Sequence, residues 1–302
     1  MKRKISYFII SIFILLSIFG CKGRENLDKS DKEVILTSFT ILADMLRNIV
    51  GEEFIVESIT KPGSEVHGYQ TTPSDLKKGA DAFVFIENGF GFELWSNKYV
   101  SNLNINRIKI SNHLEPIYLS DAGYEYKPNP HAWISPKRGI QYIDIIVDEL
   151  SDLRPNKREI FEENAKNYKN QIIKIDEDFS NFIKSTEKSK LILVSCEGAF
   201  SYLAKDYGFK EAYLWPLNAE SSITPKRMKK IINLVNKYEV PSVFCESTVS
   251  SEAQLIVVEE TDATFGGNFY VDSLSNDDGP ASTYIDLLNH NFTIIKNGFS
   301  FN

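Results

Sequence analysis

Short apolar runs alternate with stretches of helical period along most of the chain, and that alternation limits the possible folds more than any other feature. "EVILTSFT" leads into "ILADMLRNIV", "FIVESIT" into "PSDLKKGA", and "DAFVFIE" into "GFELWSNKYV". Parallel strands cannot be joined by a tight hairpin and need a crossover, usually a helix, so this order of runs predicts βα units on a parallel sheet. A second series starts at "KLILVSC" and continues through "GAFSYLAKDYG", "EAYLW", "TPKRMKKIINLVNKY", "PSVFCES", "AQLIVVEET" and "NFYVDS". In it Thr224 and Pro225 form a helix-start signal, an N-cap followed by a first-turn proline. The expected fold is α/β, with two similar lobes built on central parallel sheets, residues 33–153 and 188–302. No sequence repeat relates the two halves.

Between them residues 156–188 contain neither Gly nor Pro and are rich in charge. Ile160, Phe161, Ala165, Tyr168, Ile172, Ile175 and Phe179 recur there at helical spacing. One helix of that length would run for about 45 Å. Residues 154–187 are therefore expected to form a stiff connector that lies along both lobes and limits how far they open. The spacing is too irregular for the sustained heptads of a coiled coil.

The first residues do not belong to that fold. Lys2, Arg3 and Lys4 precede the apolar run "ISYFIISIFILLSIFG", and Cys21 follows the small residue Gly20. A basic start and a short apolar stretch read as a secretion signal, 1–21, rather than an uncleaved anchor helix. "SIFGC" resembles a lipobox, which makes Cys21 the expected lipidation site and places the rest of the chain outside the cytoplasmic membrane, on the cell surface or its periplasmic face. Two or more acyl chains give stable membrane attachment. The polar stretch 22–32 then serves as a flexible tether.

With 42% hydrophobic residues the chain can bury a real core. Its 34 basic side chains face 41 acidic ones, a formal net charge of −7, and loss of the three basic residues of the signal makes this −10. Nucleic acid is not an expected partner, whereas a cation would be drawn in.

Ligands of parallel α/β sheets bind beyond the carboxyl ends of the strands, often between domains. The chain has only four histidines. His67 follows "FIVESIT" through the turn "KPGSEV", and His131 lies in "NPHAWISP", braced by Pro130 and Pro136, with Trp133 placed to exclude water. Glu197 follows "LILVSC" and Asp272 follows "NFYV". Two imidazoles and two carboxylates, two from each half, make a coordination set for a divalent transition metal. No compact signature such as H-E-x-x-H accompanies them. His113 and His290 are assigned structural or surface roles, Glu246 a supporting hydrogen bond behind the metal ligands, and "SNDDGPAS" a solvated loop. Cys196 and Cys245 each end a strand-like run; two buried thiols are expected, with a disulfide as the alternative.

"GSEVHGYQTTPSDLKKGADAFVFIENGFGFELW", "NPHAWISP", "LVSCEGAFSYLAKDYG", "VPSVFCES" and "FYVDSLSNDDGPASTYIDLLNHN" together resemble the manganese- and zinc-binding solute-binding lipoproteins of bacterial ABC importers, the metal-binding adhesin-lipoprotein group. The likeness spans residues 33–302. It implies one metal ion held in the interlobe cleft by His67, His131, Glu197 and Asp272, the same four positions, and an ABC permease as the partner that receives it. Where that family often reads D-P-H before its first histidine, this chain has Glu65, Val66 and His67, a change expected to loosen the loop without removing the ligand. Glu197 in the third position gives two nitrogens plus carboxylate oxygens, which favours Mn²⁺, with Zn²⁺ next and Fe²⁺ also accommodated. A monomeric carrier without enzymatic activity is expected. A metalloenzyme using the His/His/carboxylate set and a host-adhesion surface lipoprotein are the alternatives.

Overall fold

The computed structural model describes residues 32–103, 105–119, 125–217 and 223–300. The signal segment 1–21, the lipidation site Cys21 and all of the tether 22–32 except Lys32 lie outside the described residues.

From Glu33 onward the chain forms one compact unit. Strands β1 (Val34–Thr37), β2 (Ile55–Ser58), β3 (Ala82–Glu87) and β4 (Asn106–Lys109) make a four-stranded parallel sheet in the order β2-β1-β3-β4. Helices α1 (Thr40–Val50), α2 (Pro73–Ala80) and α3 (Ser96–Ser101) fill the connections. Helix α1 is buried along most of its length, through Ile41, Leu42, Met45, Leu46 and Ile49. Helix α2 starts where a reciprocal cap forms: the Thr72 side chain accepts from Asp75 N–H while the Asp75 carboxylate accepts from Thr72 N–H, with Pro73 at the first position.

Helix α4 (Pro136–Leu153) leads through a 3₁₀ turn at Pro155–Lys157 into the long helix α5 (Arg158–Ser185). With 28 residues α5 is about 42 Å long. It starts a few residues later than the sequence suggests, because Pro155 opens the 3₁₀ turn instead of joining the helix. Its buried stripe is Phe161, Ala165, Tyr168, Ile172 and Phe179. Ile160, grouped with that face by spacing, is instead exposed, which leaves a steadier three-and-four rhythm. The stripe reaches both halves: Tyr168 donates to Asp44 of α1 at 3.2 Å, and Phe179 stacks on Phe292 of the last helix with ring centres 3.7 Å apart.

The second half holds β5 (Ile192–Glu197), α6 (Ser201–Tyr207), β6 (Lys210–Trp215), α7 (Pro225–Tyr238), β7 (Ser242–Glu246), α8 (Glu252–Glu259), β8 (Thr264–Phe269) and α9 (Tyr284–Phe299). Its strands form two parallel pairs, β5-β6 and β7-β8. The Thr224 hydroxyl caps α7 by accepting from Arg227 N–H at 3.2 Å.

The two cysteines are not the free thiols expected: Cys196 and Cys245 form a disulfide, with Cα atoms 4.8 Å apart. The reason is topological. Both residues stand one place before a glutamate at a strand end, and β5 lies next to β7 although β6 separates them in sequence. That adjacency brings the two Cα atoms within disulfide range.

Candidate metal centre

The structure brings His67, His131, Glu197 and Asp272 together, with one possible ligand atom from each all within 4.8 Å of one another. His67 Nε2 lies 3.3 Å from His131 Nε2, 3.6 Å from Glu197 Oε1 and 3.8 Å from Asp272 Oδ2. His131 Nε2 lies 3.9 Å from Glu197 Oε1 and 3.4 Å from Asp272 Oδ1. His67 and His131 enter from loops of the first half, Glu197 from the end of β5, and Asp272 from the segment just beyond β8.

His131 is completely buried. Its loop is fixed at several points: Ala132 N–H donates to Pro130 O, and Trp133 Nε1–H donates to Val271 O at 2.9 Å, tying this loop to the residue before Asp272. His131 Nδ1 sits 2.9 Å from Asn129 Oδ1, which also accepts from His131 N–H at 3.0 Å. The Asn129 amide nitrogen is turned the other way, toward Gly198 O, so the oxygen must face the ring. A proton on Nδ1 therefore completes the bond to Asn129 and leaves the Nε2 lone pair directed at the other three side chains.

His67 stands at the rim, with 8% of its side chain exposed. Its loop lacks the proline of the related motif but is held by other means. Val66 is buried, its carbonyl accepts from Trp95 Nε1–H at 2.9 Å, and Glu65 Oε2 accepts from Gly68 N–H at 2.8 Å. Outside His67 a cavity of about 580 Å³ opens, lined by Phe90, Gly91, Leu94, Lys127, Pro128 and Leu217.

Behind both rings stands an aromatic wall of which sequence reading found only Trp133. The Phe92 ring is 4.7 Å from His67 and 5.8 Å from His131, edge to face, and Phe39 and Trp133 pack against it at 5.0 and 4.9 Å. Phe92 lies in "NGFGFELW", where nothing separates a phenylalanine lining a site from one filling a core.

Glu197 is anchored from behind: its N–H donates to Glu246 Oε2 at 3.1 Å, and its carbonyl accepts from Ser195 Oγ at 2.6 Å. Glu246 is buried, which pushes its carboxyl well above the usual carboxylate range, and it stays outside the four-residue cluster. His113 is exposed and pairs with Glu149 at 2.8 Å, while His290 contacts Asn268 O at 3.0 Å on the surface; neither joins the cluster. Asp277, in the loop after Asp272, lines a different cavity.

The donor set suits a cation. Burial lowers the pKa of His67 to about 4, opposed by the charge of Asp272 and reinforced by His131, so its ring is neutral at neutral pH. His67 Nε2 and His131 Nε2 meet at 3.3 Å, a contact in which the His67 ring can donate to the His131 lone pair, and the buried Asp272 Oδ1 has no hydrogen-bond partner. A buried carboxylate oxygen left without a partner is costly, and a divalent ion would satisfy it together with the lone pairs of the neighbouring donors.

Two α/β halves joined by a long helix, with metal-capable side chains from both converging on one point, define a metal-binding class of α/β protein. The chain belongs to the family described as zinc-uptake complex component A periplasmic, whose model matches residues 35–298. It is 38% identical over 292 residues to the iron-binding protein YfeA of Yersinia pestis, covering 96% of this chain and 94% of that protein. It is 30% identical over 301 residues to the manganese-binding lipoprotein MntA of Halalkalibacterium halodurans, covering 99% of both. Among solved structures, the Mn-bound periplasmic metal-binding protein of Candidatus Liberibacter asiaticus is 36% identical with a TM-score of 0.83, covering 89% of this chain and 100% of that one.

Proposed function

We propose that this protein captures a divalent transition metal ion outside the cytoplasmic membrane and delivers it to the permease of an ABC importer. The observation that carries this reading is the convergence of His67, His131, Glu197 and Asp272 on one point, with two imidazole nitrogens at 3.3 Å and an unsatisfied buried carboxylate oxygen beside them. Four side chains replace the water of the ion, two carboxylates balance its charge, and no bond is made or broken. The metal is cargo, so the protein is a carrier and not an enzyme.

Manganese is the proposed cargo, ahead of zinc and ferrous iron. Carboxylates from Glu197 and Asp272 can bind through both oxygens and raise the coordination number, which suits a harder ion. Zinc binds such donors more tightly in general, so preference has to come from geometry and from release. Relatives named for iron and for manganese, in a family named for zinc, fit a centre of this mixed character.

Lipid on Cys21, after removal of the signal, would hold the carrier at the membrane, and the tether 22–32 would keep it at high effective concentration near the permease. No helix among the described residues is long and apolar enough to cross a membrane. The carrier acts as a monomer in this scheme.

Calorimetric titration of the metal-stripped protein with Mn²⁺ and then Zn²⁺ tests the proposal. One ion per chain, with binding abolished in His131→Ala, is the expected result. Unchanged manganese affinity in that variant would reject the site.

A further inference from the structure

We infer that Asn129 is a positioning residue that sets the metal preference of this centre, because its neutral amide fixes the His131 ring on one side and the loop after Glu197 on the other. The inference rests on the four-ligand reading above.

Asn129 is fully buried. Its Oδ1 accepts from His131 N–H and from the His131 ring, at 3.0 and 2.9 Å. Its Nδ2 donates to Gly198 O at 2.6 Å and to Ser201 Oγ at 3.0 Å. Ser201 Oγ gives its own proton to Glu211 Oε2 at 2.6 Å, so its oxygen is left to accept. Two donors and two acceptors engage both ends of the amide. The backbone is pinned as well, with Asn129 N–H on Ile117 O and Tyr202 Oη–H on Asn129 O, at 2.7 and 2.9 Å.

Aspartate has the same outline but lacks the amide hydrogens. A carboxylate at 129 would set an acceptor against the Gly198 carbonyl and unseat the residue that follows Glu197. It would also draw harder on the Nδ1 proton and push electron density through the ring onto Nε2, as carboxylates do behind metal-bound histidines. The first change weakens the oxygen side of the site, and the second strengthens the nitrogen side. Carboxylate oxygen suits manganese and imidazole nitrogen suits zinc, so the amide tilts the centre toward the harder ion.

The test is calorimetry on the metal-stripped full chain, titrated with Mn²⁺ and with Zn²⁺, for the wild type, Asn129→Asp and Ser201→Ala. In Asn129→Asp the manganese Kd is expected to rise about 10–100-fold and the zinc Kd by about tenfold less than that. Ser201→Ala removes one acceptor and leaves the His131 bond, so the ratio of the two constants should stay within about threefold of wild type, well below the change expected in Asn129→Asp. A folded Asn129→Asp protein with an unaltered ratio overturns the inference. Should that variant not fold, nitrogen-15 NMR of the wild-type apoprotein decides. His131 protonated at Nδ1 alone supports the inference, and protonation at Nε2 alone overturns it. A wild type that binds neither ion is a different outcome, because it rejects the proposed function itself.

Discussion

His67 and His131 supply the same ring to the same centre from very different surroundings. His131 is sealed, with its ring bonded to Asn129, its loop tied to Val271 through Trp133, and aromatic rings packed around it. His67 stands at the rim beside the 580 Å³ cavity, on the long loop between β2 and α2, held by Trp95 and Glu65. Side chains locked by packing and hydrogen bonds lose little freedom on binding, so the wall side of the centre is preorganised. In the proposed scheme the rim side is where an ion would enter and leave. A carrier has to bind and then release, and the difference between the two histidines assigns those tasks to opposite sides of one site.

The largest expected effect comes from truncating the sealed residue. His131→Ala should reduce manganese affinity by more than about 100-fold, the upper end of what removing a mere supporting partner costs. It should also lower the apoprotein's melting temperature, because it empties a packed space and leaves Asn129 Oδ1 short of a partner. His67→Ala should weaken binding comparably while moving the melting temperature less. Calorimetry and thermal melts on both variants compare the two sides directly; equal losses of stability would erase the distinction.

How much of this was legible in the sequence depends on which contacts are local. Run alternation marks the parallel α/β halves, and the stretch free of Gly and Pro marks the long helix, because both are periodic along the chain. The four metal-capable residues stand out as loop or strand-end positions, and the family resemblance selects the same set. The Cys196–Cys245 disulfide was not legible, since nothing in the order of the strands says that β5 and β7 are neighbours. The Phe92 and Phe39 wall and the Gly198 contact of Asn129 were hidden for the same reason: each pairs residues far apart in sequence. The anchor of the loop around "EVH" was hidden as well, because Trp95 lies well downstream.

Acid separates the rim residue from its surroundings. His67 has a folded pKa of about 4 against an ordinary 6.5, so the unfolded chain takes up its proton first as pH falls. Its contribution is intact above pH 6.5 and is lost on the way down to about 4, a change of about 3 kcal/mol in the metal-free protein. Glu93 shifts the opposite way, raised to about 7 by burial, and adds stability as pH drops from 7 toward its unfolded value of 4.5. The wild-type curve alone therefore mixes opposed slopes. Subtracting the curve of His67→Gln isolates the histidine, and a flat difference between pH 6.5 and 4 would contradict its burial as a neutral ring. NMR titration of the His67 ring in the apoprotein checks the same point, with a midpoint expected near 4.

A smaller effect should follow from loosening the rim without touching a ligand. Trp95→Phe keeps an aromatic side chain but removes the donor to Val66 O, a bond worth about 1 kcal/mol. Val66 precedes His67, so the metal off-rate measured by stopped flow with a chelator should rise about fivefold, as that energy converts to a rate. His113→Ala, on the surface with Glu149, sets the baseline: an exposed contact of this kind contributes at most about 1 kcal/mol, and the off-rate should not change. If Trp95→Phe matches that baseline, the rim does not govern release, and the contrast between the two histidines is one of burial alone.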